Sequence, residues 1–314
     1  MDIVCGVPQG SVLGPTLFLI YVNDMIKCMT HCRLQLFADD TISSLSGRNL
    51  HKMFYLLKHD LKSMMQWFKA NKLSLNFDKT FYSIFHSTKS TISSFFDTMT
   101  IEGETIERKK TAKYLGLTFD EVLSWQHHIE RLLSDLSKYF YLFYNLRKDI
   151  PYKFKLQLFN AYVYSRVSYG NHCYGAANKT VVKPVQIVCN KLLKVFLMKH
   201  RKYSTNLLFK GCNLLKIKDL NKFLAAKIVH RSVYPTDNTP EQFRNYFVLN
   251  VNVHGRDVRD KLLVRLPDIK SAFGEKCLHW FGAYYWNRID ARIRNIKDIK
   301  IFKKELKTSI LNSY

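Results

Sequence analysis

The 314-residue sequence lacks an apolar run long enough to cross a bilayer: its longest, Leu17 to Val22, falls far short of the roughly 20 residues required. It also lacks internal repeats and low-complexity tracts. Its seven cysteines (Cys5, Cys28, Cys32, Cys173, Cys189, Cys212 and Cys277) are scattered and odd in number, so they form no disulfide framework. No signal peptide is recognisable, and a reducing, intracellular compartment is the expectation. Cys28 and Cys32, with His31 between them, resemble a fragment of a zinc site. No second ligand pair follows at finger spacing, so no zinc finger is expected.

Acid is the other scarcity. Against 49 lysines and arginines stand only 25 aspartates and glutamates, a net charge of +24. That exceeds what solubility asks of a chain this size and points to an anionic partner. The deficit is uneven: residues 1–125 carry 14 basic and 12 acidic residues, whereas residues 126–314 carry 35 and 13. A near-neutral region followed by a strongly basic one suits a protein that holds a phosphate backbone. A solvated basic surface, or one that meets membranes or acidic proteins, has the same composition.

What is present is enough for a substantial core. Apolar residues make up 47% of the chain and aromatics 14%, which excludes disorder. Hydrophobic periodicity predicts a mixed first part and a helical second part, an α+β fold overall. An apolar helix is predicted from Pro15 to about Lys27, with Leu17, Phe18, Tyr21, Val22 and Met25 facing a core. After Ser46-Gly47, the spacing of Leu50, Met53, Phe54, Leu57, Leu61, Met64, Met65 and Phe68 predicts a long amphipathic helix. Alternation predicts strands at Leu73–Phe77, Phe81–Phe85 and Lys113–Phe119, and Gly103 marks a hairpin within Thr100–Ile106. From Trp125 onward helical stripes dominate, with Lys138, Arg147, Lys183, Lys191, Lys194 and Lys199 on their polar faces. A short strand at Val248–Val253 precedes a last helical segment rich in aromatics, Trp280, Phe281, Tyr284, Tyr285 and Trp286. Their spacing suits core packing more than base stacking.

The chain's chemistry centres on Leu34-Gln-Leu-Phe-Ala-Asp-Asp-Thr-Ile-Ser-Ser44, two strand-forming runs meeting at Asp39-Asp40. A tight hairpin with two carboxylates at its tip is predicted. Adjacent like charges repel, and a divalent cation relieves them, although Asp-Asp is also common in ordinary turns. Upstream lies Gly6-Val-Pro-Gln-Gly-Ser-Val-Leu-Gly-Pro15, a loop running directly into an apolar helix.

These two stretches, followed by Trp67 with Asn71-Lys-Leu-Ser-Leu-Asn-Phe-Asp-Lys-Thr80 and by Lys113-Tyr-Leu-Gly-Leu117, resemble in order and spacing the motifs of reverse transcriptases from non-LTR (LINE-type, jockey-like) retrotransposons. The resemblance covers about residues 3–125. It continues more weakly through Tyr169-Gly170, Val253-His-Gly-Arg256 and Trp286-Asn287-Arg288, landmarks without assigned chemistry. It implies a right-hand polymerase with a partial palm at 1–125, a thumb-like helical region at 126–200 and a basic, mainly helical region at 201–314. Its substrates would be an RNA template, a DNA primer and deoxynucleoside triphosphates. Asp39 would be a catalytic ligand of Mg²⁺ (or Mn²⁺), with Asp40 beside it, in two-metal phosphoryl transfer with ions about 4 Å apart. Pro8, Gln9 and Gly10 would lie by the nascent base pair. Lys79 would assist pyrophosphate departure as a general acid, or be an ordinary surface lysine. Tyr114 and Gly116 would grip the primer, or Tyr114 would simply pack.

One element of the pattern is missing. The resemblance implies a third carboxylate on a strand before the Pro8-Gln9-Gly10 loop, yet the only earlier acid is Asp2. Asp24, on the helix after the loop, is a poor substitute. The fingers that would hold the triphosphate are missing too. The expectation is an N-terminally truncated enzyme, inactive alone, with an open sheet edge and exposed apolar surface where the lost strand would lie.

Overall fold

A computed structural model of the chain describes residues 10–252, 260–269 and 271–314. It divides into two compact units, residues 1–112 and 113–314.

In the first unit, helix α1 (Gly14–Val22) starts with Pro15 in its first turn, while Ser11 Oγ accepts a hydrogen bond from the Gly14 N–H at 3.0 Å. It gives way to a 3-10 segment, Asn23–Cys28, rather than continuing to Lys27 as one helix. Strands β1 (Arg33–Phe37) and β2 (Asp40–Ser44) follow as a hairpin, and helix α2 (Leu50–Ala70) is the longest element. Asn49 caps α2, its side chain accepting from the Lys52 N–H at 3.0 Å.

The apolar stripe of α2 serves two cores. Met64 packs with Met25 and Leu34 beneath the β1–β2 hairpin. Met65 packs with Met99, Ile101 and Ile106 on a small sheet, and Leu61 touches both groups. That sheet has the order β3 (Phe81–Tyr82), β5 (Glu104–Arg108), β4 (Thr98–Ile101), with β3 parallel and β4 antiparallel to β5. The β4–β5 hairpin turns at Glu102-Gly103, both at positive φ, as its two-residue turn requires.

Several expectations change here. Leu73–Asn76 forms no strand; a 3-10 turn, Phe77–Lys79, follows it, capped by the Asn76 side chain. The strand expected at Phe81–Phe85 is only Phe81–Tyr82. On α1, Val22 and the following Met25 are buried, but Leu17, Phe18 and Tyr21 are exposed, as are Leu19 and Ile20. The helix is apolar on all sides, so its sequence specifies no inward face. The β1–β2 sheet pairs with no further strand among the described residues.

The second unit begins with a hairpin, where one continuous strand was expected. Strands β6 (Thr111–Tyr114) and β7 (Leu117–Asp120) meet at Leu115-Gly116, with φ of 43° and 78°. Asp120 then organises the entry to helix α3 (Gln126–Ser137). Its carboxylate accepts from the backbone N–H of Ser124 and of Trp125, each at 2.8 Å. Helices α4 (Tyr139–Leu146), α5 (Tyr152–Phe159), Lys179–Phe196, Ile217–Val233, Leu278–Trp286 and Ile299–Asn312 share one large core. At its centre the rings of Phe143 and Phe196, both fully buried, stack 4.1 Å apart. None of the described helices is long and apolar enough to cross a membrane.

The weaker landmarks find structural roles in this unit. Trp286 is fully buried, and its indole N–H donates to the Leu262 carbonyl. Asn287 pairs with both backbone groups of Val264 at 2.9 and 2.8 Å, and Arg288 lies over the Tyr284 ring. The other C-terminal aromatics are half-buried, with Trp280 stacked on Tyr284, which agrees with packing. The strand expected at Val248–Val253 is reduced to one bridge, Leu249 to Val264, followed by a 3-10 turn at Asn250–Asn252. Val253–Arg256 lies outside the described residues.

Candidate active site

The β1–β2 register sets the site. Phe37 pairs with Asp40, Leu36 with Thr41 and Leu34 with Ser43. Cross-strand partners share a face. Leu34 and Leu36 therefore point into the core beneath, while Asp40 shares the opposite face with exposed Phe37. The turn is Ala38-Asp39, with Ala38 at a φ of 52°. A non-glycine residue in that region is strained, and such strain is typical of sites that must present a side chain in one direction. Asp39 and Asp40 are both exposed, and neither side chain makes an ion pair or hydrogen bond among the described residues. Two adjacent carboxylates with free oxygen lone pairs are the donor set preferred by hard divalent cations.

The hairpin is held from behind by a residue that the sequence reading missed. Asp60, in the middle of α2, is fully buried, and its Oδ2 accepts from the backbone N–H of His31 and of Cys32, each at 2.7 Å. Burial alone would push its carboxyl up, but the Cys32 and His31 amides and the neighbouring His59 outweigh it and hold Asp60 below the usual carboxylate range. Burial pushes the adjacent Cys32 thiol up to about 11. Asp60 thereby anchors the residues that lead into β1. A signal for it existed: position 60 falls three residues after Leu57 and four before Met64, on the buried stripe.

The remaining predicted residues are more dispersed. Gly10 has a φ of 85° and open space where a Cβ would stand; Pro8 and Gln9 lie outside the described residues. Lys79 is exposed at the end of the Phe77–Lys79 turn, with no hydrogen bond or ion pair to Asp39 or Asp40. Asp24 is exposed on its 3-10 segment. Tyr114, half-buried, and Gly116, exposed, belong to the second unit.

Within that unit the Leu115-Gly116 turn is clamped. The Tyr169 hydroxyl donates to the Leu115 carbonyl, and a Cβ on Gly116 would stand 3.1 Å from the Tyr169 ring. Gly170, at a φ of 63°, lets the chain pass Leu117 so closely that a Cβ would lie 2.5 Å from its side chain. Tyr169-Gly170 is thus the support of the β6–β7 turn, a role that sequence spacing alone does not reveal. Beside the turn lies a cleft of about 190 Å³ lined by Arg131, Arg166, His128, Asp135 and Tyr169. The hydrogen bond from Lys138, and then the Arg166 and Arg131 charges, draw the Asp135 carboxyl down. Two guanidiniums against a carboxylate already paired with Lys138 leave the cleft positive.

A family described as "Reverse transcriptase (RNA-dependent DNA polymerase)" matches residues 2–119. In Drosophila melanogaster, the probable RNA-directed DNA polymerase from transposon X-element is 25% identical over 202 residues, 62% of this chain and 22% of that protein. The RNA-directed DNA polymerase from mobile element jockey is 25% identical over 206 residues, 61% of this chain and 22% of its own length. The probable polymerase from transposon BS is 26% identical over 200 residues, again 22% of its length. The chain therefore matches about a fifth of the length of these relatives. No solved structure matches it significantly. The sequence motifs and these relatives converge: residues 2–119 match the reverse transcriptase family, and the chain is similar to the RNA-directed DNA polymerases of LINE-type, non-LTR retrotransposons.

Proposed function

We propose that the chain carries the catalytic hairpin of an RNA-directed DNA polymerase palm followed by a thumb and a basic nucleic-acid-binding extension, and that these 314 residues do not extend a primer by themselves. The hairpin tip is the main support: two adjacent exposed carboxylates, without side-chain partners among the described residues, on a turn strained at Ala38. Asp39 and Asp40 would hold Mg²⁺ or Mn²⁺, which when bound activates a primer 3′-hydroxyl and stabilises leaving pyrophosphate.

The other roles belong to the chain's own side chains. Gly10, with Pro8 and Gln9, would let the backbone approach the template base closely. Exposed Lys79 would give a proton to the departing pyrophosphate. Tyr114 and the Leu115-Gly116 turn would bear on the primer strand, with Arg131 and Arg166 taking one of its phosphates. Residues 1–125 would form the partial palm, 126–200 the thumb and 201–314 the extension. RNA template, DNA primer and deoxynucleoside triphosphates are the substrates in this reading. The carboxylate count supports inactivity: no third acid gathers with Asp39 and Asp40 among the described residues.

A non-catalytic RNA- or DNA-binding remnant is the second reading, favoured by the 35 basic against 13 acidic residues of 126–314. Both readings expect a labelled RNA–DNA primer–template to bind with an affinity that falls steeply with salt, by a log–log slope of about 0.7–0.9 per phosphate contacted. Salt-independent binding sinks both. Primer extension on poly(rA)/oligo(dT) with Mg²⁺ or Mn²⁺ tests the rest. Extension abolished by Asp39→Ala would overturn the inactivity and make the chain a polymerase outright.

A further inference from the structure

A second candidate metal centre lies in the first unit, at the foot of the hairpin rather than its tip. The segment entering β1 brings His31 against α2, where its ring meets the His59 ring edge to face with centroids 5.6 Å apart. His59 Nδ1 stands 3.4 Å from Asp60 Oδ1. One donor atom from each of His31, His59 and Asp60 lies within 4.8 Å of the other two, and no other such group of three occurs among the described residues.

The surroundings of Asp60 are asymmetric. Its Oδ2 accepts from the His31 and Cys32 amides at 2.7 Å, whereas Oδ1 makes a long contact with His59 at 3.4 Å, and the Cys32 thiol also hydrogen-bonds the carboxylate. A ligating carboxylate whose second oxygen is fixed by backbone donors has the support that metal sites require. The two imidazoles are exposed, so their rings can turn, while the carboxylate is buried and fixed. Zinc takes imidazole nitrogen and carboxylate oxygen at about 2.0–2.2 Å, which places neighbouring donors about 3.3 Å apart in a tetrahedron. The present spacing, within 4.8 Å, would have to close to that value by movement of the two exposed rings. The sequence offered only the Cys28-His31-Cys32 fragment, without a second pair of ligands. Folding supplies that pair from α2, and it pairs with His31 rather than with the cysteines.

We propose that His31, His59 and Asp60 bind one borderline-soft divalent cation, Zn²⁺ by its chemistry, with water as fourth ligand, so that the metal staples the start of β1 to α2. Imidazole donors separate this site from the all-carboxylate tip at Asp39-Asp40, which suits Mg²⁺. The proposal does not depend on polymerase activity.

The test uses the whole 314-residue chain, stripped of metal and titrated with Zn²⁺ against a chromophoric chelator, with Co²⁺ as a spectroscopic substitute. One equivalent is expected to bind, Mg²⁺ in large excess not to compete, and Co²⁺ to show the visible bands of a four-coordinate site. His31→Ala and His59→Ala should each weaken binding at least tenfold and abolish the rise in thermal midpoint that Zn²⁺ gives the unaltered chain. His127→Ala, an exposed histidine elsewhere, should leave both unchanged. Absence of binding, affinity unaltered in both His31→Ala and His59→Ala, or an intense thiolate-to-cobalt charge-transfer band assigning the metal to cysteine would each overturn the proposal.

Discussion

Replacing Asp60 tests whether one buried carboxylate holds the Asp39-Asp40 hairpin in place. Asp60→Asn keeps the shape: the amide oxygen can take the place of Oδ2 and still accept from the His31 and Cys32 amides at 2.7 Å, with its NH₂ toward His59 Nδ1. What is lost is charge. A hydrogen bond to an ionised group contributes about 1.5–3 kcal/mol against about 0.5–1.5 for a neutral pair, so two bonds lose about 2 kcal/mol together. Asp60→Ala instead leaves two backbone donors unpaired, at about 1–3 kcal/mol each, and opens space between Met64 and the hairpin; the cost is about 2–6 kcal/mol. Hydrogen exchange read amide by amide is the assay, because the effect should be local. For Asp60→Asn the His31 and Cys32 amides should exchange about 30-fold faster, 2 kcal/mol at 1.4 kcal/mol per factor of ten, with smaller increases along Arg33–Phe37. Asp60→Ala should exceed this at the same amides. Exchange unchanged in both variants, or raised evenly across the first unit, would refute the argument.

Other consequences are as direct. Gly170→Ala forces a Cβ to 2.5 Å from Leu117 at a φ of 63°; the left-handed conformation and the overpacking together should cost about 2–5 kcal/mol, read as a lowered denaturation midpoint. Arg131→Gln and Arg166→Gln should each reduce the salt slope of primer–template binding by about 0.7–0.9, and an unchanged slope would remove that cleft from the nucleic-acid path. Burial, with Arg131 close to the first, lowers the pKa of His128, and burial lowers that of His230 despite its hydrogen bond to the Ile296 carbonyl. Below the unfolded value of 6.5 the unfolded chain therefore binds more protons than the folded one. Stability of the second unit should be full above that pH and fall as pH drops toward the depressed folded values. Thermal midpoints from about pH 7.5 to 5.5 should show this decline, and His128→Gln should make it shallower.

How much was legible in the sequence depended on whether local pattern and tertiary environment agreed. The α2 stripe and the Glu102-Gly103 turn were clear because periodicity and turn chemistry each suffice locally. The hairpin at Asp39-Asp40 was legible too, but its turn falls at Ala38-Asp39, one residue earlier than the paired carboxylates suggested, and Asp40 pairs with Phe37 as the first residue of β2. Lys113–Phe119 misled: alternation runs unbroken through a turn in which Leu115 adopts a φ of 43°, and only Gly116 hinted at it. Leu73–Phe77 alternates as well, but no strand among the described residues pairs with it, and the run ends in the Phe77–Lys79 turn without forming a ladder. On α1, hydrophobicity without a preferred side could not say which residues face inward, and Leu17, Phe18 and Tyr21 stay exposed. Asp60 and Tyr169-Gly170 act through partners 28 and 54 residues away, Cys32 and Leu115, a separation that no local pattern encodes.

The central claim is that the Asp39-Asp40 turn is a polymerase metal site, and metal-directed cleavage tests it most directly. Fe²⁺ substituted for Mg²⁺ generates hydroxyl radicals that cut the polypeptide beside the bound ion. With primer–template and a deoxynucleoside triphosphate present, the account predicts a cut at residues 38–41 that excess Mg²⁺ suppresses and Asp39→Ala abolishes. No cut at that turn, or one that survives Asp39→Ala, would contradict it.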